Sequence, residues 1–170
     1  MSVGPGSFTG VRIGVSVLKG LAFGKNKPVC AVSSLEGMAY SLKNTDFYGV
    51  ICPVIDARHE NLYNAVFRYG ENGITRLCPD RVISADELKN ELEKYDEKIY
   101  FIGSGYDLMM KKCEGESNIN PLPGENKYDF GYGVCLRAYE KYQNGEITDD
   151  LCLSPVYLRP SQAERMKNNH

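Results

Sequence analysis

The chain has 170 residues, of which 42% are hydrophobic and 25% charged, so it is long enough to bury a hydrophobic core. Its 20 basic and 22 acidic side chains leave a formal net charge of -2, which argues against a protein that holds nucleic acid through its own electrostatic field. No apolar run reaches the length of a membrane span, and the first residues lack the basic-then-apolar pattern of a signal peptide. We therefore expect a cytoplasmic protein.

The chain opens with a glycine-rich turn that leads into a helix. Residues 4–10 (GPGSFTG) contain three glycines and one proline, a composition typical of tight turns. Beyond them, apolar residues recur every three or four positions from Val11 to Ala22, which predicts a helix. Ser7 or Thr9 can cap this helix, because a side-chain oxygen there accepts from the free amides of the first turn.

A glycine turn before a helix N-terminus suits anions, so a phosphate-binding loop is the first alternative to consider. A Walker-type loop requires Lys and then Ser or Thr after its last glycine, whereas Val11 and Arg12 follow Gly10. The dinucleotide fingerprint requires a glycine where Thr9 stands, and it also requires a strand before the turn. Only three residues precede this turn. A structural turn and helix cap is therefore the preferred interpretation.

The next stretch predicts a strand, a second helix and a meander. Residues 29–32 predict a short buried strand. The spacing of Ser33 and Glu36 fits a capping box, in which each side chain accepts from the other residue's backbone amide, and predicts a helix that runs to about Lys43. Apolar, β-branched runs separated by polar turns then predict three antiparallel strands. These strands cover residues 48–56, 62–69 and 74–78.

The second half of the chain predicts helices that alternate with short strands. The spacing of Ser84 and Glu87 repeats the capping box and opens a helix. The predicted elements are a helix over 85–95, a strand over 99–102, a helix that ends near 113, a short strand around 119 and a helix over 129–142. This pattern establishes a mixed α/β fold, and its element order is that of a ribonuclease H-like unit.

Six cysteines raise the question of a disulfide or zinc site. They are evenly spread without a CxxC pair, and the chain has only two histidines. Zinc sites usually contain closely paired ligands. Several cysteines, such as Cys30 and Cys52, lie in apolar runs, which favours buried reduced thiols. We therefore expect no metal site.

A polar cluster lies at the predicted hairpin between the first two strands of the meander. Asp56, Arg58, His59 and Glu60 supply donors for metal binding or acid–base chemistry. Hairpin tips are also polar simply because they face water, so a solvated turn or contact surface is preferred. No Ser/His/Asp arrangement can be assembled, since His59 is the only internal histidine. We predict no catalytic, metal-binding or cofactor-binding residue.

Residues 4–14 (GPGSFTGVRIG), followed by KGLA at 19–22, closely resemble the TsaB (YeaZ) family, which belongs to the bacterial machinery that modifies tRNA with threonylcarbamoyladenosine. Three later segments match the family in the same order, namely VSSLE at 32–36, DAR at 56–58 and PVYLR at 155–159. The resemblance spans the whole chain. It implies the ribonuclease H-like fold of the actin-like ATPase (ASKHA) superfamily, which includes actin, sugar kinases and Hsp70.

The chain departs from the family in two places. Family members usually begin with further strands and a helix before the glycine turn, so the chain resembles a protein whose first lobe lacks its front part. Asn61 stands where the family usually carries an acidic residue, so the role of that carboxylate does not carry over. We expect an incomplete first lobe and a complete second lobe. The predicted divisions are 1–45 for the remaining first lobe, 46–160 for the second lobe and 161–170 for a loose tail.

The resemblance implies a non-catalytic partner subunit. Its partner would be TsaD, the ATP- and metal-binding paralogue that performs the transfer to tRNA, and this chain would bind and activate it. The ATPase TsaE would join the assembly, with tRNA as the substrate of the complex. Because the first lobe is incomplete, we expect the chain alone to expose apolar surface and form a homodimer. The alternative is a metal- or ATP-dependent enzyme, a peptidase or small kinase, but the required cluster cannot be assembled from these residues.

The first helix carries the predicted interface. Gly10 and Gly14 bare one face of this helix beside an apolar stripe, which suits close packing against the chain's own sheet or another protein's helix. TsaB-like proteins pair through this helix and the next, so the resemblance implies docking helices at 11–23 and 34–42. The predicted interface residues are Phe8, Gly10, Arg12, Gly14, Val15, Leu18, Leu35 and Met38.

Overall fold

A computed structural model describes residues 1–43, 48–71, 73–122 and 130–159 of the chain. These ranges hold five helices and five strands. The helices are α1 (Phe8–Ala22), α2 (Ser34–Tyr40), α3 (Ala85–Leu92), α4 (Tyr106–Lys112) and α5 (Phe130–Gln143). The strands are β1 (Gly49–Asp56), β2 (Asn61–Gly70), β3 (Gly73–Ser84), β4 (Ile99–Ile102) and β5 (Ile119–Asn120).

The strands form one sheet in the order β3-β2-β1-β4-β5. The first three strands pair antiparallel as the predicted meander, whereas β4 pairs parallel with β1 and β5 pairs parallel with β4. Parallel pairing requires crossover connections, which α3 and α4 provide before β4 and β5. A meander continued by two parallel strands is the ribonuclease H-like arrangement, so the predicted fold class is confirmed.

Side chains alternate between the two faces of this sheet, and a separate hydrophobic cluster covers each face. On one face, Cys52 and Phe101 pack with residues of α3 and α4. On the other face, Ile51 and Phe67 pack with Leu35 of α2. Helix α2 therefore belongs to the layer over the sheet, although it precedes the predicted lobe boundary. The division of the chain into lobes stays a prediction.

Helix α1 packs away from the sheet. Its buried residues Val15 and Ala22 lie in a third cluster with Val3, Val29 and Leu153. These partners come from segments that form neither helix nor strand. No helix in the described ranges is both long and apolar enough to cross a membrane.

Three predicted elements differ in extent, and one of them is α3, which ends at Leu92 instead of residue 95. Helix α2 ends at Tyr40 rather than Lys43, because the next amides bond three residues back, Leu42 to Ala39 and Lys43 to Tyr40. Strand β3 continues past Pro79 to its end. Proline is tolerated there because β3 lies at the edge of the sheet, where a missing amide removes no ladder bond.

The predicted strand at residues 29–32 appears only as isolated bridges, from Val29 to Thr148 and from Val32 to Ser2. Residues 1–4 nevertheless run parallel beside 30–34, since the N-terminus donates to the carbonyl oxygen of Cys30 and the amide of Val32 donates to that of Met1, both at 2.9 Å. The predicted tail 161–170 and the predicted helix start at 129 lie outside the described residues.

The expectation of buried thiols is correct for some cysteines only. Burial raises the pKa of the Cys52 thiol, which keeps it protonated and unreactive. All six cysteines are free. Cys52 and Cys113 are buried, Cys30 and Cys78 are half-buried, and Cys135 and Cys152 are exposed.

Candidate docking helix and the cleft beside it

The glycine turn before α1 is shaped by contact with the chain's own C-terminal segment. Gly4 has a φ of +108°, and a Cβ there would lie 2.7 Å from the carbonyl oxygen of Val156. Only glycine suits both this backbone conformation and this contact. Ser7 caps α1, because its hydroxyl accepts from the amide of Gly10 at 3.3 Å. The turn therefore serves packing and capping, as its structural interpretation predicts.

Helix α1 presents an apolar stripe to solvent. Ile13, Val17 and Leu21 follow one another at intervals of four residues and are 59%, 57% and 62% exposed. Residues four apart lie on the same side of a helix, so these three side chains form a continuous surface, here called the outer stripe. Monomeric proteins usually scatter their exposed apolar side chains, so a continuous stripe indicates a contact site.

The predicted interface residues divide between the core and the surface. Val15 and Leu35 are only 3% and 0% exposed, so neither side chain faces solvent in this fold, and their place in an interface stays a prediction. Val15 faces the third cluster and Leu35 faces the sheet. The other six residues also stay predictions. Phe8, Gly14, Leu18 and Met38 are half-buried, and Gly10 and Arg12 are exposed.

Gly10 and Gly14, the two predicted interface glycines of α1, have different surroundings. A Cβ on Gly14 would overlap the end of the Met1 side chain, which is flexible and can move aside, so this contact alone does not require glycine. A Cβ on Gly10 would meet only Ser7, at 3.4 Å, so Gly10 leaves the helix surface open. The outer stripe was not among the predicted interface residues, although the four-residue spacing of Ile13, Val17 and Leu21 is visible in the sequence.

Arg12 is engaged within the chain at the start of α1. Its Nε donates to the Tyr157 hydroxyl at 2.7 Å, and its guanidinium carbon lies 3.9 Å from the centroid of the Phe8 ring. The Phe8 and Tyr157 rings stack with their centroids 4.7 Å apart. Two predicted interface residues, Phe8 and Arg12, therefore already have partners in this chain.

A cleft of about 490 Å³ lies beside the start of α1. Its walls are the glycine turn, the hairpin between β1 and β2, and residues 156–159. Arg159 donates from Nη1 to the carbonyl oxygen of Ala57 at 2.6 Å, and Asp56 Oδ1 accepts from the amide of Arg58 at 2.7 Å. Both charged side chains thus bind backbone atoms of the cleft wall.

Comparisons with known proteins identify the family. A family model described as TsaD: tRNA N6-adenosine threonylcarbamoyltransferase matches residues 1–122. The tRNA threonylcarbamoyladenosine biosynthesis protein TsaB of Bacillus subtilis (strain 168) is 32% identical over 171 residues, which cover 95% of this chain and 69% of that protein. The Haemophilus influenzae protein of the same name is 33% identical over 164 residues, which cover 92% of this chain and 67% of that protein. The chain belongs to the TsaB family.

Further matches connect this TsaB-family chain to a solved structure and to a transferase. YeaZ from Pseudomonas aeruginosa matches with a TM-score of 0.72 at 24% identity, over 92% of this chain and 72% of that one, and shows the same fold. The tRNA N6-adenosine threonylcarbamoyltransferase of Brachyspira hyodysenteriae is 27% identical over 180 residues, which cover 91% of this chain and 50% of that protein.

Three of the segments that resemble TsaB meet at the cleft. The glycine turn, the DAR segment at 56–58 and the PVYLR segment at 155–159 are far apart in sequence, yet each contributes residues to the cleft wall. Three segments that are distant in sequence therefore come together where the first helix, the hairpin and the C-terminal segment meet.

Asn61, the departure from the TsaB pattern, has a defined role in the hairpin. Arg58, His59 and Glu60 all have positive φ values, between 54° and 71°, which are unfavourable for side chains with a Cβ. Asn61 Nδ2 donates to the carbonyl oxygens of Arg58 and His59, at 3.4 and 3.0 Å. An ionised carboxylate has no proton to donate and could not make these bonds.

The polar hairpin cluster is exposed to solvent, and whether it also forms a contact surface stays open. Glu60 forms an exposed ion pair with Lys112 at 3.3 Å, and Lys112 also binds Asp86 at 2.9 Å. Within the described ranges, no three His, Cys, Asp or Glu side chains come together as a metal site.

Proposed function

We propose that this chain is a non-catalytic subunit of the tRNA threonylcarbamoyladenosine-forming complex, in which it binds and activates a TsaD-type transferase through α1. The observation that carries the proposal is the outer stripe, because it leaves three large aliphatic side chains uncovered on the helix with the strongest TsaB resemblance. Removing apolar surface from water contributes about 25 cal/mol per Å², so a partner helix laid along this stripe would be stabilised.

A TsaD-type transferase suits this surface, because a relative of that name matches 91% of the chain. Related chains of one fold present equivalent helices, so their first helices can pack side by side about an approximate two-fold axis. The same surface supports a homodimer when the chain is alone. We further propose that TsaE joins the assembly, that tRNA is the substrate of the whole complex, and that the complex works in the cytoplasm.

The cleft supports a non-catalytic role for this subunit. Asp56 Oδ1 and Arg159 Nη1 each bind a backbone atom of the hairpin, which supports a role in holding the cleft wall in place. In the proposed complex, the TsaD-type transferase provides the ATP- and metal-dependent chemistry. Tight binding of ATP and Mg²⁺ by the isolated chain, measured by calorimetry, would contradict the assignment.

Substitution of Leu21 by Glu tests docking through the outer stripe. A carboxylate in an apolar contact must be desolvated, so the affinity of Leu21→Glu for the purified cognate TsaD should fall by at least about tenfold, or roughly 1.4 kcal/mol, in titration calorimetry. The matched control is Tyr139→Glu, because Tyr139 is 64% exposed on α5. This control should bind like wild type. Equal affinities for Leu21→Glu and wild type would refute the proposed interface.

A further inference from the structure

Helix α1 depends on the C-terminal segment for its position. None of its residues belongs to the two clusters that cover the sheet. Its inward side packs instead on the third cluster, in which Leu153 is 1% exposed. Because α1 joins neither of the clusters that cover the sheet, other segments of the chain must hold it in place.

Residues 151–159, here called the C-terminal strap, run along α1 in the opposite direction. Near the end of the helix, Lys19 Nζ donates to the carbonyl oxygen of Leu151 at 3.1 Å. In the middle, Leu153 packs with Val15. At the start of the helix, Tyr157 stacks on the Phe8 ring and accepts from Arg12. The strap thus contacts α1 along its whole length.

The strap continues from α1 to the sheet. The amide of Val156 donates to the carbonyl oxygen of Val3 at 2.7 Å, next to the glycine turn. Arg159 then donates to the carbonyl oxygen of Ala57, in the hairpin that follows β1. One short segment therefore connects the docking helix, the glycine turn and the hairpin.

We infer that the C-terminal strap positions α1 for its partner. The contact between Arg12 and Tyr157, here called the latch, fastens the strap to the start of the helix. The partner-binding part of this inference rests on the proposed function. Arg12 and Tyr157 are positioning residues: their interaction is within the chain, and it determines whether the outer stripe is presented in the orientation that a partner helix can contact. Releasing the latch lowers the fraction of chains in the binding-competent arrangement, which reduces the apparent affinity by that fraction.

Hydrogen exchange on the isolated chain tests the strap without any partner. In Tyr157→Leu, the amides of α1 should exchange severalfold faster than in wild type, while those of β1 and β4 should not change. The matched control is Tyr139→Leu, which removes an exposed tyrosine from α5 and should leave α1 unchanged. Wild-type exchange rates along α1 in Tyr157→Leu would overturn the inference.

Binding kinetics with the purified cognate TsaD test the functional consequence. Tyr157→Leu should slow association by about tenfold and leave dissociation unchanged, because fewer chains are competent but the contacts of the bound state are the same. Arg12→Ala should slow association to the same extent, and the double variant should associate no more slowly than either single one. Dissociation is compared only for Tyr157→Leu, because Arg12 is itself a predicted interface residue. Tyr157→Phe, which keeps the stacked ring but loses the hydroxyl that accepts from Arg12, should slow association less than Tyr157→Leu does.

The two experiments separate the strap from the proposed function. Tyr157 is 43% exposed, so faster dissociation of Tyr157→Leu would mean that Tyr157 touches the partner, and the positioning role would be wrong. Faster exchange along α1 with unchanged partner kinetics would leave the strap in place and refute docking through α1. Unchanged exchange would refute the strap whatever the partner kinetics show.

Discussion

Asn64 is a fully buried polar residue that fixes an irregular part of β2. Its Nδ2 donates to the carbonyl oxygen of Pro53 at 3.0 Å and to Cys52 Sγ at 3.2 Å, and its Oδ1 accepts from Arg81 Nη2 at 3.2 Å. The pairing of β2 with β3 shifts register directly after Asn64. A side chain with both donors and an acceptor can satisfy groups that such a bulge leaves without ladder partners.

Glu91 of α3 anchors the same network and gives a pH-dependent prediction. Its Oε2 lies 2.7 Å from Arg81 Nη1, and the hydrogen bond from Arg81 lowers the pKa of the Glu91 carboxyl. The folded state therefore favours the ionised form, so this pair stabilises the fold above the ordinary carboxyl pKa, and its contribution is lost as the pH falls through the lowered value.

Glu91→Gln should lower the free energy of unfolding at neutral pH by about 1 kcal/mol, which is the upper end of the range for ion pairs that are partly screened by solvent. The difference from wild type should disappear in acid, and urea unfolding at several pH values measures it. Glu93→Gln changes an exposed neighbour and is the control. A deficit that keeps its size from neutral pH to the most acidic pH measured would show that the pair is not its cause.

The role of Glu36 shows what spacing alone does not determine. Its distance from Ser33 in sequence predicted a reciprocal capping box, and the Ser33 hydroxyl does accept from the amides of Leu35 and Glu36. The Glu36 carboxylate instead accepts from Arg137 Nε at 2.8 Å. Local sequence predicts the cap of a helix, but a partner 101 residues away decides where the second side chain points.

At the level of elements, α2 and α5 cross where both helices carry a glycine. A Cβ on Gly133 of α5 would overlap the carbonyl oxygen of Gly37 and lie 2.5 Å from the amide nitrogen of Ser41. These are backbone atoms, which cannot move aside as a flexible side chain can. The close approach of α5 to α2 therefore depends on the absence of a side chain at Gly133.

Replacement of glycine by alanine should destabilise the fold at Gly133 in α5 and stabilise it at Gly20 in α1. Gly133→Ala should destabilise the fold by about 2 kcal/mol, because the overlap outweighs the helix propensity that alanine gains, roughly 1 kcal/mol. Gly20→Ala in α1 meets no atom within 4 Å and should stabilise the fold by about 0.5–1 kcal/mol. Chemical denaturation measures both. A stable Gly133→Ala variant would show that α5 can shift on α2.

The sequence predicted that α1 is a helix but not which of its sides is buried. Val11, Val15, Leu18 and Ala22 form one apolar stripe, while Ile13, Val17 and Leu21 form another. Both have helical spacing, so periodicity cannot say which of them meets the chain's own core. In the fold the first stripe faces inward, and the second is the outer stripe.

For the whole molecule, the exposed outer stripe gives a prediction about assembly. The purified chain should have the mass of a dimer or a larger species in size-exclusion chromatography with light scattering, because water-exposed aliphatic surface favours self-association. Leu21→Glu should shift it toward the monomer. A wild-type chain that stays monomeric at high concentration would contradict the expectation of a homodimer.

The succession of helices and strands and the antiparallel meander could be predicted at this scale, because turn and capping signals are local in sequence. The family resemblance also includes the three segments that line the cleft. The meeting of Arg12 with Tyr157 could not be predicted, since 145 residues separate them and neither lies in a periodic pattern shared with the other. The cleft is likewise built from three distant segments, which only the folded chain brings together.

The side-chain amide of Asn61 makes part of the cleft wall insensitive to acid. A carboxamide neither gains nor loses a proton in the range where carboxylates titrate, so its two bonds to the left-handed turn persist as the pH falls. The Arg81–Glu91 pair, which joins β3 to α3, does not share this property. Acidification should therefore loosen the anchoring of α3 while the two Asn61 bonds in the hairpin persist.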